Sequence, residues 1–289
     1  MLRALPALLL FLGACNPPGL TPDTELSAQA TALTCYRENG FAMLAAHRGG
    51  PAPGYPENAL SSLQRLADNG VLYAEIDVRR TADDVYYLLH DDTLERTTTG
   101  SGDLEGRVWS ELSSERLLDS NGELTNQTIP RLEAVFALAR ETGLVLNLDL
   151  KSVTPAEIVA LVDANNARDH VAIIAYTVED AAAIHALDPG LVLSVPDELD
   201  ALRASGVNLD ASYIWLGTGA LNPARDTELA SHGLETSVGL FRREDGSATP
   251  YLEAAEAGVE LLSIDNVDAA VSALGGSDVL QARIEQCRT

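Results

Sequence analysis

Basic residues are scarce in this chain. Its 289 residues include 19 lysines and arginines against 43 aspartates and glutamates, which gives a formal net charge of -24 at pH 7. Proteins that bind nucleic acid need clustered cationic side chains to displace counterions. The composition therefore argues against nucleic acid as a partner. The same imbalance means that an anionic substrate would need a metal ion, or local arginine and lysine, at its binding site.

Long apolar segments are also lacking. The apolar run Ala4–Leu12 follows Arg3 and is too short to span a bilayer, and no later run is longer and equally apolar. The run leads into Leu12-Gly13-Ala14-Cys15, which resembles the bacterial lipobox. The sequence thus predicts a lipoprotein signal peptide over residues 1–14. We expect a lipid anchor on Cys15 that holds the protein at the periplasmic or cell-surface side of the bacterial envelope. An ordinary signal peptide that is cut elsewhere is the alternative.

Turn-forming residues dominate the segment after Cys15. Proline, glycine and asparagine punctuate residues 15–39, and no apolar period is sustained there. The sequence predicts a lipid-anchored tether over this segment and one domain over residues 40–289. No internal repeat or low-complexity tract interrupts that domain.

Within the domain, strand-like runs alternate with helix-like runs. Several strand candidates are continuously apolar, as strands covered on both faces should be. The strand candidates are Phe41–Ala46, Leu72–Val78, Val85–Leu89, Leu144–Leu150, Val171–Tyr176, Leu191–Val195, Tyr213–Leu216, Glu235–Leu240 and Val259–Ile264. The helix candidates are Ala59–Asn69, Pro130–Glu141, Pro155–Ala167 and Glu179–Ala186. The alternation predicts a parallel sheet, closed or open.

Two features depart from a regular alternation. The link between the second and third strand candidates has only about six residues, too few for a crossover helix. Either one of the nine candidates lies outside the main sheet or this link is atypical. In addition, residues 91–124 form a long, polar, glycine-containing segment after the third candidate, and such insertions are more often functional than accidental.

Polar side chains cluster where four successive strand candidates end. In a parallel barrel the carboxyl ends of the strands form the rim that carries the active site. These residues are His47, Arg48, Glu75, Asp77, His90, Asp149 and Lys151. Their agreement in position predicts one shared site.

The acidic members of this set suggest a metal site. Glu75 and Asp77 are two residues apart and so point to the same side of a strand, where two carboxylates would repel each other. A hard divalent cation relieves this repulsion, and Asp149 is placed to add a third oxygen ligand. Carboxylates suit Mg²⁺ or Ca²⁺ better than zinc. The alternative is a network of salt bridges with Arg48, Arg79 and Lys151.

The histidines of the set suggest acid–base chemistry. Cleavage of a phosphodiester needs a base to activate the nucleophile and an acid to protonate the leaving alkoxide. Histidine titrates near neutrality and can do either, so His47 and His90 are the predicted pair. His170, His185 and His232 have no accompanying carboxylate or base motif, and we interpret them as structural.

Eight short motifs between about residues 44 and 152 resemble the glycerophosphodiester phosphodiesterase family in order, spacing and residue type. They are Ala46-His47-Arg48-Gly49, Pro56-Glu57-Asn58, Glu75-Ile76-Asp77-Val78, Thr81-Ala82-Asp83, His90-Asp91, Arg96-Thr97-Thr98-Thr99-Gly100-Ser101-Gly102, Ile129-Pro130-Arg131-Leu132-Glu133 and Asn147-Leu148-Asp149-Leu150-Lys151. The resemblance is thin after residue 152.

The resemblance implies a fold, a reaction and roles for the residues. The fold would be a TIM-type (β/α)8 barrel with an insertion after the third strand. The reaction would be the metal-dependent hydrolysis of a glycerophosphodiester, a small molecule, to an alcohol and glycerol phosphate. The implied roles are catalysis for His47 and His90, metal binding for Glu75, Asp77 and Asp149, phosphate binding for Arg48 and Lys151, and orientation of the phosphate site for Glu57.

The chain departs from the family pattern at four places. Asp149 stands where the family usually has glutamate, Asp84 stands where it has glycine, the segment 236–241 lacks the family's Trp-Thr-Val-Asn motif, and Ile264-Asp265 matches the family's final Thr-Asp step only in part. We therefore expect the part of the pocket that holds the alcohol or the glycerol to differ. The alternatives are a lipid phosphodiesterase on the same barrel, such as the spider-venom type of phospholipase D, and an anchored binding lipoprotein without turnover.

The chain contains only three cysteines. If Cys15 carries the lipid, Cys35 and Cys287 remain, at the two ends of the domain. The termini of a closed barrel lie near each other, so an oxidising compartment would allow these two residues to form a disulfide. Two free thiols are the alternative.

Overall fold

The computed structural model describes residues 25–288. The predicted signal peptide, Cys15 and most of the predicted tether lie outside the described residues. The strands are β1 Met43–Ala46, β2 Tyr73–Arg80, β3 Tyr86–Leu88, β4 Arg116–Leu118, β5 Leu124–Thr128, β6 Val145–Leu150, β7 Val171–Ile174, β8 Val192–Pro196, β9 Ser212–Thr218, β10 Glu235–Gly239 and β11 Leu261–Ile264. The helices are α1 Ala28–Asn39, α2 Leu60–Asp68, α3 Trp109–Leu112, α4 Leu132–Thr142, α5 Pro155–Ala164, α6 Val178–Leu187, α7 Leu199–Ser205, α8 Pro223–Ser231, α9 Thr249–Glu256, α10 Val267–Ala273 and α11 Ser277–Cys287.

Eight parallel strands close into a barrel in the order β1-β2-β6-β7-β8-β9-β10-β11. The ring is completed where β1 pairs with β2, at Ala45 opposite Tyr73. The TIM-barrel prediction is confirmed. Outward residues of the strands, such as Leu44, Ile76 and Leu148, are fully buried between the barrel and the surrounding helices. Among the described helices, none is both long and apolar enough to cross a membrane.

The third strand candidate lies outside the ring. β3 runs antiparallel to β2, with Leu88 opposite Val78, because the short link between them permits only a hairpin. The hairpin turn includes Asp84, whose φ of 60° is a left-handed conformation that aspartate tolerates better than most residues. The prediction that His90 ends a parallel strand is therefore wrong. Instead, the returning strand brings His90 back to the level of Asp77, whose carbonyl accepts the N–H of Leu89.

The insertion after β3 is a folded unit. It contains α3 and the small antiparallel sheet of β4 and β5, so it extends slightly beyond the predicted end at residue 124. Its own apolar cluster includes Leu94, Leu104, Leu112 and Leu117, all buried. This cluster holds the insertion against the rim of the barrel.

The predicted tether is wrong for residues 28–39, which form α1. The side chain of Ser27 caps this helix by accepting the N–H of Ala30 at 3.2 Å. Much of the buried face is alanine, so the apolar periodicity is weak and the sequence pattern did not reveal the helix.

α1 closes the floor of the barrel. Leu33 and Tyr36 are buried against Met43, Tyr73 and Tyr213, which point inward at the amino-terminal ends of their strands. The helix therefore seals the end of the barrel that lies opposite the carboxyl-terminal rim.

A disulfide joins α1 to α11. Cys35 and Cys287 have their Cα atoms 5.6 Å apart and are separated by 252 positions in the sequence. The bond encloses almost all of the described chain in one covalent loop.

A group of carboxylates is buried beside the floor, between α8, β10 and the residue before β11. Glu260 accepts the backbone N–H of Thr236 at 2.8 Å, and the hydroxyl of Thr236 donates to Asp226. Burial raises the pKa of Glu260 to about 8, and the negative charges of Asp226 and Glu235 add to the effect. The folded protein therefore holds Glu260 protonated at neutral pH.

This shift predicts a pH dependence of stability. Between the ordinary value of 4.5 and about 8, the folded state binds more protons at Glu260 than the unfolded state does. The free energy of unfolding should thus fall by up to about 1.4 kcal/mol per pH unit as the pH rises through that window. The variant Glu260→Gln cannot ionise, so its advantage over the unmodified protein should grow from pH 5 to pH 9. Urea unfolding at both pH values measures this difference, and the exposed Glu256→Gln is the control. Parallel pH dependences for Glu260→Gln and the unmodified protein would contradict the prediction.

Candidate active site

A cavity of about 340 Å³ opens at the carboxyl-terminal rim of the barrel. Alternate residues of each strand point into the barrel, so the last inward positions of neighbouring strands meet at this rim. Six of the seven rim residues predicted from the sequence, all except Arg48, line the cavity. Arg48 lies directly behind His90.

Three carboxylates form the acidic part of the site. In the pairing of β2 with β6, Glu75 stands opposite Asn147 and Asp77 stands opposite Asp149. One oxygen from each of Glu75, Asp77 and Asp149 lies within 4.8 Å of the others, and all three side chains are buried. Burial raises the pKa of Glu75, and the nearby negative charge of Asp77 raises it further. The cluster is therefore short of positive charge.

Neutral donors fix the orientation of two of these carboxylates. The side-chain amide of Asn58 donates to Asp77 at 2.7 Å, and the N–H of Asp77 donates back to Asn58 at 3.0 Å. The backbone N–H of Arg48 donates to Glu75 at 2.6 Å. Arg48 has a φ of 50°, a strained conformation that costs about 1–3 kcal/mol and is typical of functional sites. This conformation points its N–H at Glu75.

Lys151 supplies the positive charge that touches the cluster. Its ammonium lies 2.7 Å from Asp149 and 3.1 Å from Asp77. Burial alone would lower the pKa of Lys151, but the hydrogen bonds and charges of Asp149 and Asp77 outweigh it and raise the pKa. Lys151 is also the only lysine in the sequence.

Unpaired oxygens show that the site suits a cation. Among the described residues, Oδ1 of Asp149 and Oδ1 of Asn147 are buried and lack a hydrogen-bond partner. A buried oxygen without a donor is costly, whereas Mg²⁺ and Ca²⁺ take such oxygens as ligands. The other oxygen of Asp149 accepts the phenol of Tyr176 at 2.8 Å, so the short side chain is held in place. The residues present therefore fit a hard divalent cation.

His47 directly follows β1 and lines the cavity beside the residues that follow β10 and β11. Its Nδ1 is 2.8 Å from a carboxylate oxygen of Asp265, which directly follows β11. Its ring packs against Phe241 with the ring centroids 4.5 Å apart. A carboxylate bound to Nδ1 fixes the orientation of the ring and leaves Nε2 free for proton transfer.

His90 is held in a similar way. Its Nδ1 is 2.7 Å from Asp91, and its Nε2 is 2.9 Å from the guanidinium of Arg48. Arginine can only donate, so Nε2 of His90 is the acceptor and Nδ1 carries the proton to Asp91. Both predicted histidines thus have the carboxylate partner that orients a proton-transfer group.

A network of ion pairs surrounds His90. Arg96 forms a forked pair of bonds to Glu57, at 2.7 and 2.8 Å, and a second pair to Asp91, at 2.6 and 2.8 Å. Glu57 also lies 3.5 Å from Arg48. Hydrogen bonds from Arg96 hold the pKa of Asp91 well below its usual range. Glu57 therefore contacts the guanidinium groups of Arg96 and Arg48, and its own negative charge disfavours direct contact with an anionic phosphate.

The three remaining histidines lie elsewhere. His170 precedes β7 at the floor end of the barrel, and His232 is exposed at the end of α8. His185 in α6 accepts the backbone N–H of Asn208 at 3.3 Å. Their positions fit the structural roles that the sequence indicated.

Several residues of the site received no role from the sequence. Tyr176, Trp215 and Phe241 lie in the last two thirds of the chain, where no motif assigns them to the site, and Asp265 lies in a step that matches the family pattern only in part. Asp91 and Arg96 lie inside quoted motifs, and their alternating charges were the signal that could have assigned them to this network.

The fold and the site define a class: a TIM barrel whose rim combines a metal-type carboxylate cluster with two carboxylate-bound histidines. The model of the glycerophosphoryl diester phosphodiesterase family matches residues 47–203, more than half of the chain. The chain therefore belongs to this family.

The chain is similar in sequence to a curated relative and in fold to solved structures. Glycerophosphodiester phosphodiesterase 1 of Bos taurus is 33% identical over 112 residues, which are 37% of this chain and 33% of that protein. The match thus spans about a third of that relative. A glycerophosphoryl diester phosphodiesterase structure from Parabacteroides distasonis aligns with a TM-score of 0.78 and 24% identity, covering 86% of this chain and 91% of that one. A phosphodiesterase of Oleispira antarctica, solved with the product sn-glycerol-3-phosphate, aligns with a TM-score of 0.67 and 21% identity, covering 82% and 98%.

Proposed function

We propose that this protein hydrolyses glycerophosphodiesters to an alcohol and glycerol phosphate. The observation that carries the proposal is the pairing of two carboxylate-bound histidines with a buried cluster of three carboxylates around one cavity. Family membership supports the reaction class, and the glycerol phosphate bound by the Oleispira antarctica protein supports the substrate class.

Cations of the chain would bind and orient the phosphate. The ammonium of Lys151 lies at the edge of the carboxylate cluster, and the guanidinium of Arg48 lies beside His90. Lys151 lines the cavity and would contact the phosphate, while Arg48 lies behind His90 and would add positive charge to that side of the site. Donors placed there stabilise the negative charge that grows on phosphoryl oxygens in the transition state.

Glu75, Asp77 and Asp149 would hold a divalent cation, Mg²⁺ or Ca²⁺. When bound, such an ion neutralises phosphate oxygens and polarises phosphorus. The carboxylate oxygens of the site and its lack of cysteine favour these ions over zinc.

The two histidines would move the protons. In hydrolysis, the oxygen of water forms a bond to phosphorus and the bond from phosphorus to the alcohol oxygen breaks. One histidine accepts a proton from water, and the other donates a proton to the departing alkoxide. Proton exchange with solvent then returns both histidines to their starting protonation states. Asp265 and Asp91 keep the two rings in orientation during this transfer. Attack by a neighbouring hydroxyl of the substrate would use the same two proton transfers to release the alcohol and form a cyclic phosphate. Water would then open the ring to give glycerol phosphate, with the two histidines exchanging their roles.

Release of glycerol phosphate from glycerophosphocholine and glycerophosphoethanolamine tests the proposed function. We expect release with Mg²⁺ or Ca²⁺ and loss of release with a chelator. Asp77→Asn should lose activity at every metal concentration, and the exposed Glu256→Gln should retain it. Choline release or cyclisation from intact lysolipid, without glycerol phosphate, would instead favour the phospholipase D alternative. Bound metal without any turnover by a folded protein would favour a binding lipoprotein.

The single lysine allows metal binding to be measured without turnover. Reductive ¹³C-methylation modifies primary amines. It therefore labels the terminal amine and a single side chain, that of Lys151. Because Lys151 contacts Asp77 and Asp149, its resonance should shift during titration with Mg²⁺ or Ca²⁺ while the terminal amine stays unchanged. Asp149→Asn should weaken this shift. An unchanged Lys151 resonance at saturating cation would refute the proposed metal site.

We further propose that the protein is anchored through Cys15 in the bacterial envelope. The lipobox-like sequence before Cys15 supports this, and the Cys35–Cys287 disulfide fits an oxidising compartment. Incorporation of labelled palmitate, lost in Cys15→Ser, is the expected result. Equal labelling of both proteins would contradict it.

A further inference from the structure

Two aromatic rings converge at one side of the cavity. Trp215 belongs to β9, Phe241 follows β10, and both line the cavity. A Cβ atom at Gly239 would lie 2.8 Å from the ring of Phe241 and 2.9 Å from the ring of Trp215. The absent side chain of Gly239 therefore lets both rings close on the same space. We call Trp215 and Phe241 the aromatic wall.

The aromatic wall adjoins the reacting groups. The ring of Phe241 packs on His47, with centroids 4.5 Å apart. The carboxylate cluster and Lys151 lie across the cavity, on β2 and β6. A diester whose phosphate sits near that cluster and near His47 would place one of its organic arms against the wall.

The charges around the wall disfavour an anionic arm. Of the described residues that line the cavity, Lys151 is the one lysine or arginine, and it lies across the cavity from the wall, beside Asp77 and Asp149. Arg242 follows Phe241 but does not line the cavity. Asp265, bound to His47, is half-exposed beside Phe241 and adds negative potential. Aromatic faces with nearby carboxylates are the surroundings that attract an organic cation.

The wall lies in the carboxyl-terminal part of the chain, beyond residues 47–203 that the family model matches. Phe241 also lies in the segment 236–241, where the chain lacks the Trp-Thr-Val-Asn motif. The wall therefore stands in the part of the pocket where the sequence predicts a departure from the family pattern.

We propose that the aromatic wall makes the protein selective for diesters whose alcohol is a cationic amine, with a quaternary ammonium as the preferred group. Trp215 and Phe241 determine this specificity by cation–π contact. The inference rests on the proposed function, because it assigns the alcohol of the same reaction.

The test compares two substrates that differ in one charge. Glycerophosphocholine is measured beside the 3,3-dimethylbutyl ester of glycerol phosphate, in which carbon replaces the ammonium nitrogen. We expect kcat/KM to be about 3- to 30-fold higher for the cation, the range of a cation–π contribution. Trp215→Leu and Phe241→Leu should each bring this ratio towards one. Trp215→Phe and Phe241→Tyr keep a π face and should retain most of it.

The outcomes separate the two proposals. Failure to hydrolyse either ester would refute the proposed function itself. Hydrolysis of both esters with equal kcat/KM would overturn the cation preference while leaving the reaction in place. A preference that survives in both leucine variants would also overturn the inference, because the carboxylates alone would then account for it.

Discussion

Replacing His47 with alanine is expected to lower kcat for glycerophosphodiester hydrolysis by about 10²–10⁴-fold, and His90→Ala should act similarly. Each residue presents an imidazole to the cavity with Nδ1 held by a carboxylate, Asp265 for His47 and Asp91 for His90. Loss of either ring removes one of the two proton transfers. Steady-state kinetics with saturating cation and substrate measure the effect.

The exposed His232→Ala is the matched control, since it removes an imidazole far from the rim and should keep normal kcat. The Lys151 resonance should still shift with cation in the His47 variant, which would show that the metal site remains intact. Near-normal kcat in both His47→Ala and His90→Ala would rule out the two-histidine mechanism.

Removing the disulfide is the change with the largest expected effect on stability. Cys287→Ala opens a loop of 252 residues, and loss of such a constraint on the unfolded chain costs about 2–5 kcal/mol. It also frees α1 from α11, so the floor of the barrel loses a covalent support. A fall in Tm of roughly 6–15 °C is expected by calorimetry.

Cys35→Ala should give a similar fall, and the double variant should be little less stable than either single variant, because both changes break the same bond. Thiol reductant should lower the Tm of the unmodified protein and leave the double variant unchanged. Additive losses in the double variant would indicate that the bond contributes little and that packing of the two side chains dominates.

Local patterns were sufficient to predict that most of the rim residues lie around one cavity. The period-two spacing of Glu75 and Asp77 places both on the inner face of β2, and the register with β6 brings Asp149 beside Asp77. Because parallel strands end at one rim, residues at strand ends meet without any need to know the tertiary fold in detail.

Features that depend on packing between distant segments were not predictable in this way. The contacts of Asp265 with His47 and of Phe241 with the same ring join residues about 200 positions apart, and no local pattern predicts which residues such contacts bring together. The sequence did not predict α1 because its buried face is partly alanine, so the helix has only a weak apolar periodicity. β3 was assigned the right residues but the wrong direction, since strand propensity carries no information about direction.

The helix α1, which closes the floor of the barrel, affects how substrate reaches the cavity and how products leave it. Leu33 and Tyr36 fill the end of the barrel opposite the rim, so no passage runs along the barrel axis through the described residues. We therefore expect substrate to enter, and both products to leave, on the side of the carboxyl-terminal rim. A product held deeper in the cavity would then leave after the outer one.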